Sequence, residues 1–185
     1  MGALKDPTIK MIGMHGTGGV GKTTMVKEVG NVAKRDGVFD DVAIAVVSRN
    51  LDKKNVQGEL AAQLLQNGKK NVVILEDIWD PLNLEEIGIR YTTDYGNKEG
   101  CCKVLVTSRK NLFHMMAPKA WTREFLIQSL EKKEARTLFM KTAEISVNSE
   151  KEMTSVEKAV GDECGGLPVS ILAVAKALKG KESYA

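Results

Sequence analysis

Aromatic residues make up only 5% of this 185-residue chain. Platforms on which bases could stack are therefore scarce. Its 27 basic and 24 acidic residues are interleaved, and the net charge is only +3. That combination gives no reason to expect a nucleic-acid partner. Cysteine is sparse as well. Cys101, Cys102 and Cys164 are odd in number and lack CxxC spacing. They suggest neither a disulfide framework nor a cysteine-based zinc site, and fit a reducing compartment. Long hydrophobic runs are missing. VAIAVV at Val42–Val47 and VVIL at Val72–Leu75 fall far short of the ~18–20 apolar residues of a membrane span. The start, MGALKDPTIK, has no apolar signal core, and Asp6 stands where a myristoylation sequence carries Ser or Thr. A cytoplasmic protein is the expectation.

What is present suffices for a core: 43% of residues are hydrophobic and 28% charged, at a length suited to one domain with a small appendage. Extended segments are predicted at Lys10–His15, Val42–Val47, Val72–Leu75, Val104–Thr107 and Glu124–Ile127. Near-continuous apolar runs of this kind suit strands buried on both faces of a parallel sheet. Helical spacing fills the gaps. Lys22–Lys34 carries Met25, Val26, Val29 and Val32 on one side, Lys54–Gln66 carries Val56, Leu60, Leu64 and Leu65, and Leu112–Met116 is a shorter candidate. The alternation predicts an α/β fold, a doubly wound, mainly parallel sheet flanked by helices. The character changes near Ser129. Helices are predicted over Glu131–Ala143 with Ser129 as N-cap, over Ser149–Glu163, and over Pro168–Lys179 with Pro168 in the first turn. No strand is expected after Ile127. The expected division is a sheet domain at 1–128 and a small helical subdomain at 129–185.

Gly16-Thr17-Gly18-Gly19-Val20-Gly21-Lys22-Thr23 matches G-x-x-x-x-G-K-[ST] in full, after a predicted strand and before a predicted helix. Glycines let backbone N–H groups converge on phosphate oxygens with no side chain in the way. The helix N-terminus adds positive potential. Lys22 is expected to reach the β- and γ-phosphates, the Thr23 hydroxyl to ligate Mg²⁺, and Thr24 to contact an α-phosphate. The motif identifies a nucleoside di- or triphosphate but not its base.

The run at Val72–Leu75 ends in Glu76 and Asp77. Ligands of open α/β sheets bind at the carboxyl ends of strands, where acids can hold Mg²⁺ and orient an attacking water. Arg109, after Thr107 and Ser108, is placed to sense a γ-phosphate. His15 and His114 are read as structural, and Met115 and Met116 as core. No Ser-His-Asp or Cys-His arrangement follows from the spacings.

Taken in order, these segments resemble the NB-ARC nucleotide-binding domain of plant disease-resistance proteins of the coiled-coil, nucleotide-binding, leucine-rich-repeat class. MIGMHGTGGVGKTTMVKEV resembles its phosphate loop, and VFDDVAIAVVS its next strand. NVVILEDIWD resembles its Walker B segment with Trp79 in the usual place, and GCCKVLVTSRK its arginine-sensor strand. FLIQSLEKKEARTLFMKTA and CGGLPVSILAVAKAL resemble the segments that follow. The resemblance implies a P-loop NTPase that works as a switch: ADP holds a parent receptor off, ATP turns defence signalling on, and slow Mg²⁺-dependent hydrolysis by a weak ATPase resets it. It implies phosphate or Mg²⁺ contacts at Gly16, Gly18, Gly19, Val20, Gly21, Lys22, Thr23 and Thr24. Asp77 takes the catalytic acid position, with Lys22 assisting. Thr23 and Glu76 fall at the metal, Arg109 at the γ-phosphate, and Pro168 near the base and ribose. Implied partners are the nucleotide and the coiled-coil, winged-helix and leucine-rich-repeat domains of a parent receptor, and the resemblance allows oligomerisation on activation.

Three departures qualify this. Glu76 stands where relatives carry an aspartate, and the extra methylene shifts its carboxylate by over ~1 Å. A Mg²⁺ shell at ~2.0–2.1 Å accommodates that poorly without a bridging water, so binding is expected to survive better than hydrolysis. The stretch between Val47 and Val72 has room for one helix where relatives have two, which is expected to leave apolar surface exposed. The chain starts just before the phosphate loop and stops just after Leu178, as expected of a piece truncated before the winged-helix region. Two alternatives stay open: a degenerate, non-hydrolysing nucleotide-binding scaffold, and a P-loop small-molecule kinase, although no arginine-rich lid is evident. No N-K-x-D segment follows the Thr107 strand, which favours adenine over guanine.

Overall fold

The computed structural model describes residues 1–47, 49, 51–63, 70–89, 102–144 and 163–179. The expected extended segments are strands: β1 (Met11–His15), β2 (Asp41–Val46), β3 (Asn71–Ile78), β4 (Cys102–Ser108) and β5 (Thr122–Leu126), although β5, expected to be buried like the rest, is exposed along most of its length because it lies at the edge of the sheet. They form one sheet in the order β2-β3-β4-β1-β5. Every pairing is parallel. Met11, Val72, Ile74, Leu75, Val104, Leu105 and Val106 are almost wholly buried, as strands covered on both faces require.

Helices follow the helical spacing, with corrections. After α1 (Gly2–Lys5), α2 covers Lys22–Arg35 and α3 covers Lys53–Gln63. The buried stripe of α2 is Lys22, Val26, Gly30 and Ala33, whereas Met25 is exposed. The helix turns its glycine to the sheet. A Cβ at Gly30 would come within 3.0 Å of Ile74 and 3.1 Å of Val42, so the small residue sets the close approach. In α3, Asp52 Oδ1 accepts the amides of Lys54 and Asn55, both at 3.1 Å, a side-chain cap for the first turn. The predicted extension to Gln66, with Leu64 and Leu65, lies outside the described residues. Val56 and Leu60 of α3 join one core cluster with Ala43, Ala45 and Val47, and Leu84, Ile87 and Phe113 belong to the same cluster.

Gln63 of α3 performs an unpredicted task. Its Oε1 accepts the Ile44 amide at 2.9 Å, and its Nε2 donates to the Ile44 carbonyl at 2.8 Å. The side-chain amide thus occupies a backbone position on the free edge of β2. At the other end, Lys103 of β4 is 3% exposed, and its ammonium donates to the Ala3 and Asp6 carbonyls, which ties down the N-terminal turn.

Residues 112–116 form a 3-10 turn at Phe113–Met115 rather than an α-helix. Phe113 is buried and His15 packs against it, with ring centroids 6.0 Å apart, as expected of a packing histidine. His114 is exposed. Met116 packs on the core, but Met115, expected in the core, is 63% exposed. A turn this short buries only its first residue.

The chain divides into two compact units: Met1–Gly16 with Lys22–Leu126, and Thr17–Gly21 with Ile127–Ala185. In the second, α4 (Lys132–Ala143) and α5 (Pro168–Leu178) share a small core of Ala135, Phe139, Ala143, Cys164, Ile171 and Ala175. The N-cap of α4 is Glu131, not Ser129. The Glu131 amide donates to Glu134 Oε2 at 3.0 Å, a capping box built from two glutamates. Pro168 opens α5, as expected. Most of the helix expected at Ser149–Glu163 lies outside the described residues. Among the described residues no strand follows Leu126, and no helix is long and apolar enough to cross a membrane.

Candidate functional site

β4 lies between β1 and β3, so the segments leaving these three strands share the carboxyl edge of the sheet. The phosphate motif follows β1, the two acids lie near the end of β3, and Arg109 follows β4. Lys22 is buried, and its Nζ donates to the Gly16 carbonyl at 2.7 Å across the motif. Burial pushes its ammonium below the ordinary lysine range; the Arg109 charge acts in the same direction and Asp77 opposes it. Thr23 and Thr24, which follow Lys22, are exposed.

The acidic strand end is not a regular strand. Leu75 pairs with Val106, but Ile78 pairs with Ser108, so β3 holds one extra residue there. Asp77 takes a left-handed backbone, φ +55°, a region aspartate tolerates better than most residues. Its amide donates to Thr107 Oγ1 at 2.9 Å, so a side-chain hydroxyl mends the ladder. Such an irregularity re-aims neighbouring side chains. Glu76 turns inward and is 4% exposed; the side chain of Asp77 is 43% exposed. Two acids adjacent in sequence thus have different surroundings.

Asp77 is the centre of a small network. Trp79 Nε1 donates to its Oδ2 at 3.0 Å, and Arg109 Nε lies 3.8 Å from its Oδ1. The Arg109 guanidinium carbon stands 4.6 Å from the centre of the Trp79 ring, and that of Arg49 stands 4.7 Å from it. Glu76 has another partner. Lys27 Nζ of α2 lies 3.6 Å from Oε1, and that oxygen accepts no hydrogen bond. Sequence reasoning named neither Lys27 nor Arg49, and used Trp79 only as part of a motif.

Glu76 Oε1 also bears on Mg²⁺. A buried carboxylate oxygen that accepts no hydrogen bond is the kind of ligand a hard, oxygen-preferring cation takes, as is a threonine hydroxyl such as that of Thr23. Among the described residues no three His, Cys, Asp or Glu side chains gather as a self-contained metal site. A cation at these groups would need further oxygens from phosphate and water.

The second unit holds the middle of the motif. Gly19 has φ +78° and Gly21 φ +97°, values that residues with a Cβ rarely adopt. A Cβ on Gly19 would stand 2.3 Å from Val169 Cγ1, and the Val169 amide donates to the Gly19 carbonyl at 3.3 Å. Val20 is buried, Gly18 is exposed, and Pro168, next to Val169, is half-buried.

The NB-ARC domain model matches residues 2–71 and 62–148 of the chain. The disease resistance protein At4g27190 of Arabidopsis thaliana is 32% identical over 203 residues, which cover 97% of this chain and 20% of that protein. The disease resistance protein UNI of the same plant is 28% identical over 201 residues, 96% of this chain and 22% of its own length. The chain thus spans about a fifth of the length of the curated relatives it matches. Among solved structures, a proline-to-glycine mutant of Thermotoga maritima RuvB superposes with a TM-score of 0.56 at 12% identity, over 91% of this chain and 55% of that one. At that identity the likeness bears on fold alone. The parallel sheet flanked by helices, with its phosphate motif after the first strand, is a P-loop NTPase fold. Matched by the family model over most of its length, the chain belongs to the NB-ARC domain family.

Proposed function

We propose that this chain is the ATP/ADP-binding switch of a plant immune receptor, off with ADP and on with ATP, and that it hydrolyses ATP slowly. One observation carries the reading: the motif lysine Lys22 is buried and hydrogen-bonded back to the Gly16 carbonyl at 2.7 Å, at the sheet edge that also carries Asp77 and Arg109. A buried ammonium depressed by its surroundings gains most from a phosphate. The names of the relatives support the immune role, and the division of the chain supports a sheet domain with a helical subdomain. A cytoplasmic location goes with the same role.

In this reading the backbone from Gly16 to Gly21 and the Lys22 ammonium cradle the phosphates, with Thr24 on the α-phosphate. Thr23 and Glu76 would hold Mg²⁺, which would neutralise phosphate charge. Asp77, the half-exposed acid, accepts the proton of the attacking water, and Arg109 exchanges Asp77 for the γ-phosphate. Pro168 packs on the base and ribose. In a longer receptor, the partners are its coiled-coil, winged-helix and repeat domains, with oligomerisation on activation.

The test is single-turnover hydrolysis of ATP by the chain and by Asp77→Asn. Slow turnover lost in the variant, with ATP binding retained, supports the assignment. Equal rates in both overturn the role of Asp77. A second reading, a scaffold that binds nucleotide without hydrolysing it, is favoured by the Lys27–Glu76 ion pair. It predicts tight binding and no turnover in either protein.

A further inference from the structure

The phosphate motif and Arg109 leave one arrangement unexplained: two guanidinium groups on a single ring. Arg49 and Arg109 come from different strand ends, yet both centre within 4.7 Å of the Trp79 ring. The fold brings them there. The pairing of β2 with β3 continues through the Val47 amide, which donates to the Glu76 carbonyl at 2.8 Å. Arg49 lies two residues beyond that bond, and Trp79 three residues beyond Glu76. The ring itself is fixed, because its N–H donates to Asp77, which Thr107 anchors in turn.

We propose that Arg49 is a second anion-contacting side chain of this site, that Trp79 is the positioning residue for both arginines, and that together they read the terminal phosphate of a nucleoside triphosphate. The inference rests on the nucleotide reading above and assigns residues that reading does not use. Charge supports it. Asp77 pairs with Arg109 and Glu76 with Lys27, whereas the Arg49 guanidinium on the same ring has no carboxylate partner among the described residues. The local excess is positive, and like-charged guanidiniums on one ring repel each other. A multiply charged anion relieves that repulsion. Each planar guanidinium can present two N–H groups to phosphate oxygens, which an ammonium cannot do. A tryptophan face orders such groups at little cost, since cation–π contact at exposed sites is weak and readily exchanged. A diphosphate, lacking the third phosphoryl group, leaves both arginines on the ring.

The experiment measures ATP and ADP affinities of the whole chain by titration calorimetry in excess Mg²⁺, for wild type, Arg49→Met, Trp79→Phe and Trp79→Leu. Arg49→Met is expected to lower the ratio of ATP to ADP affinity roughly tenfold, the loss of a hydrogen bond to a charged group. Trp79→Leu should lower it similarly, and Trp79→Phe, which keeps a ring, should keep most of it. A purely structural role for Trp79 would weaken both nucleotides alike. In a Trp121→Phe background Trp79 is the sole tryptophan, and ATP but not ADP should change its emission. Arg49 is exposed, so its variant should fold even if Trp79→Leu does not. Wild-type binding of both nucleotides with an unchanged ratio in Arg49→Met overturns this inference alone. Failure of the wild type to bind either nucleotide overturns the nucleotide reading as well.

Discussion

The ammonium nitrogen of Lys27 lies 3.6 Å from Oε1 of Glu76, a carboxylate oxygen that is buried and accepts no hydrogen bond. Lys27 belongs to the helix that follows the phosphate motif, so one charge on α2 compensates one at the end of β3. Lys27→Met leaves the carboxylate uncompensated. Half of the lysine side chain is exposed, which screens the pair, so the expected cost is ~1 kcal/mol rather than the larger penalty of a dry charge. Lys27→Met combined with Glu76→Gln should recover most of it. Urea unfolding of the two single variants and the double variant checks this, and strict additivity would contradict the coupling.

The depressed ammonium of Lys22 makes nucleotide binding pH-dependent in a predictable direction. Burial, aided by Arg109, lowers its pKa in the free protein below the ordinary 10.5. A bound phosphate favours the charged form and raises it. Between those two values the complex holds more protons than the free chain, so affinity falls as pH rises through the lowered pKa and is level below it. Calorimetry in buffers of different ionisation heat should show proton uptake on ADP binding at alkaline pH. No uptake anywhere up to the ordinary lysine range would contradict this account of Lys22.

Gln63 closes the edge of β2 by pairing with both backbone groups of Ile44. An open edge strand is a template for another chain. Gln63→Ala is expected to cost about 1 kcal/mol for the lost pair of hydrogen bonds and to promote self-association through the exposed edge. Thermal unfolding gives the first, and sedimentation velocity over a range of concentrations gives the second. A variant as stable as the wild type and no more associated would show the plug to be incidental.

Much of this was legible in the sequence because its signals are local. Aliphatic runs such as Val72–Leu75 can only be buried, and the phosphate motif fixes strand, loop and helix within a dozen residues. What was not legible depends on tertiary register. The extra residue at Glu76–Asp77 leaves no trace in the apolar pattern, because the run has already ended. Yet it decides that Glu76 faces Lys27 and Asp77 faces Arg109. The buried stripe of α2 follows Gly30, whose lack of a side chain lets the helix approach Ile74 and Val42; hydrophobicity alone pointed to Met25. Ser129 satisfied the N-cap preference, but the E-x-x-E at Glu131–Glu134 supplied a reciprocal cap nearer the helix. Arg49 carried no motif, and only the pairing of β2 with β3 brings it to Trp79.

The central claim is that the segment from Gly16 to Thr24 binds a nucleoside phosphate through Lys22. Titration calorimetry of ADP, ATP and GTP into the whole chain, with Lys22→Met as the paired variant and circular dichroism as the check on folding, tests it most directly. The account predicts saturable, adenine-selective binding by the wild type and its loss in a folded Lys22→Met chain. Equal affinity in both proteins, or a folded wild type that binds none of the three, would contradict it.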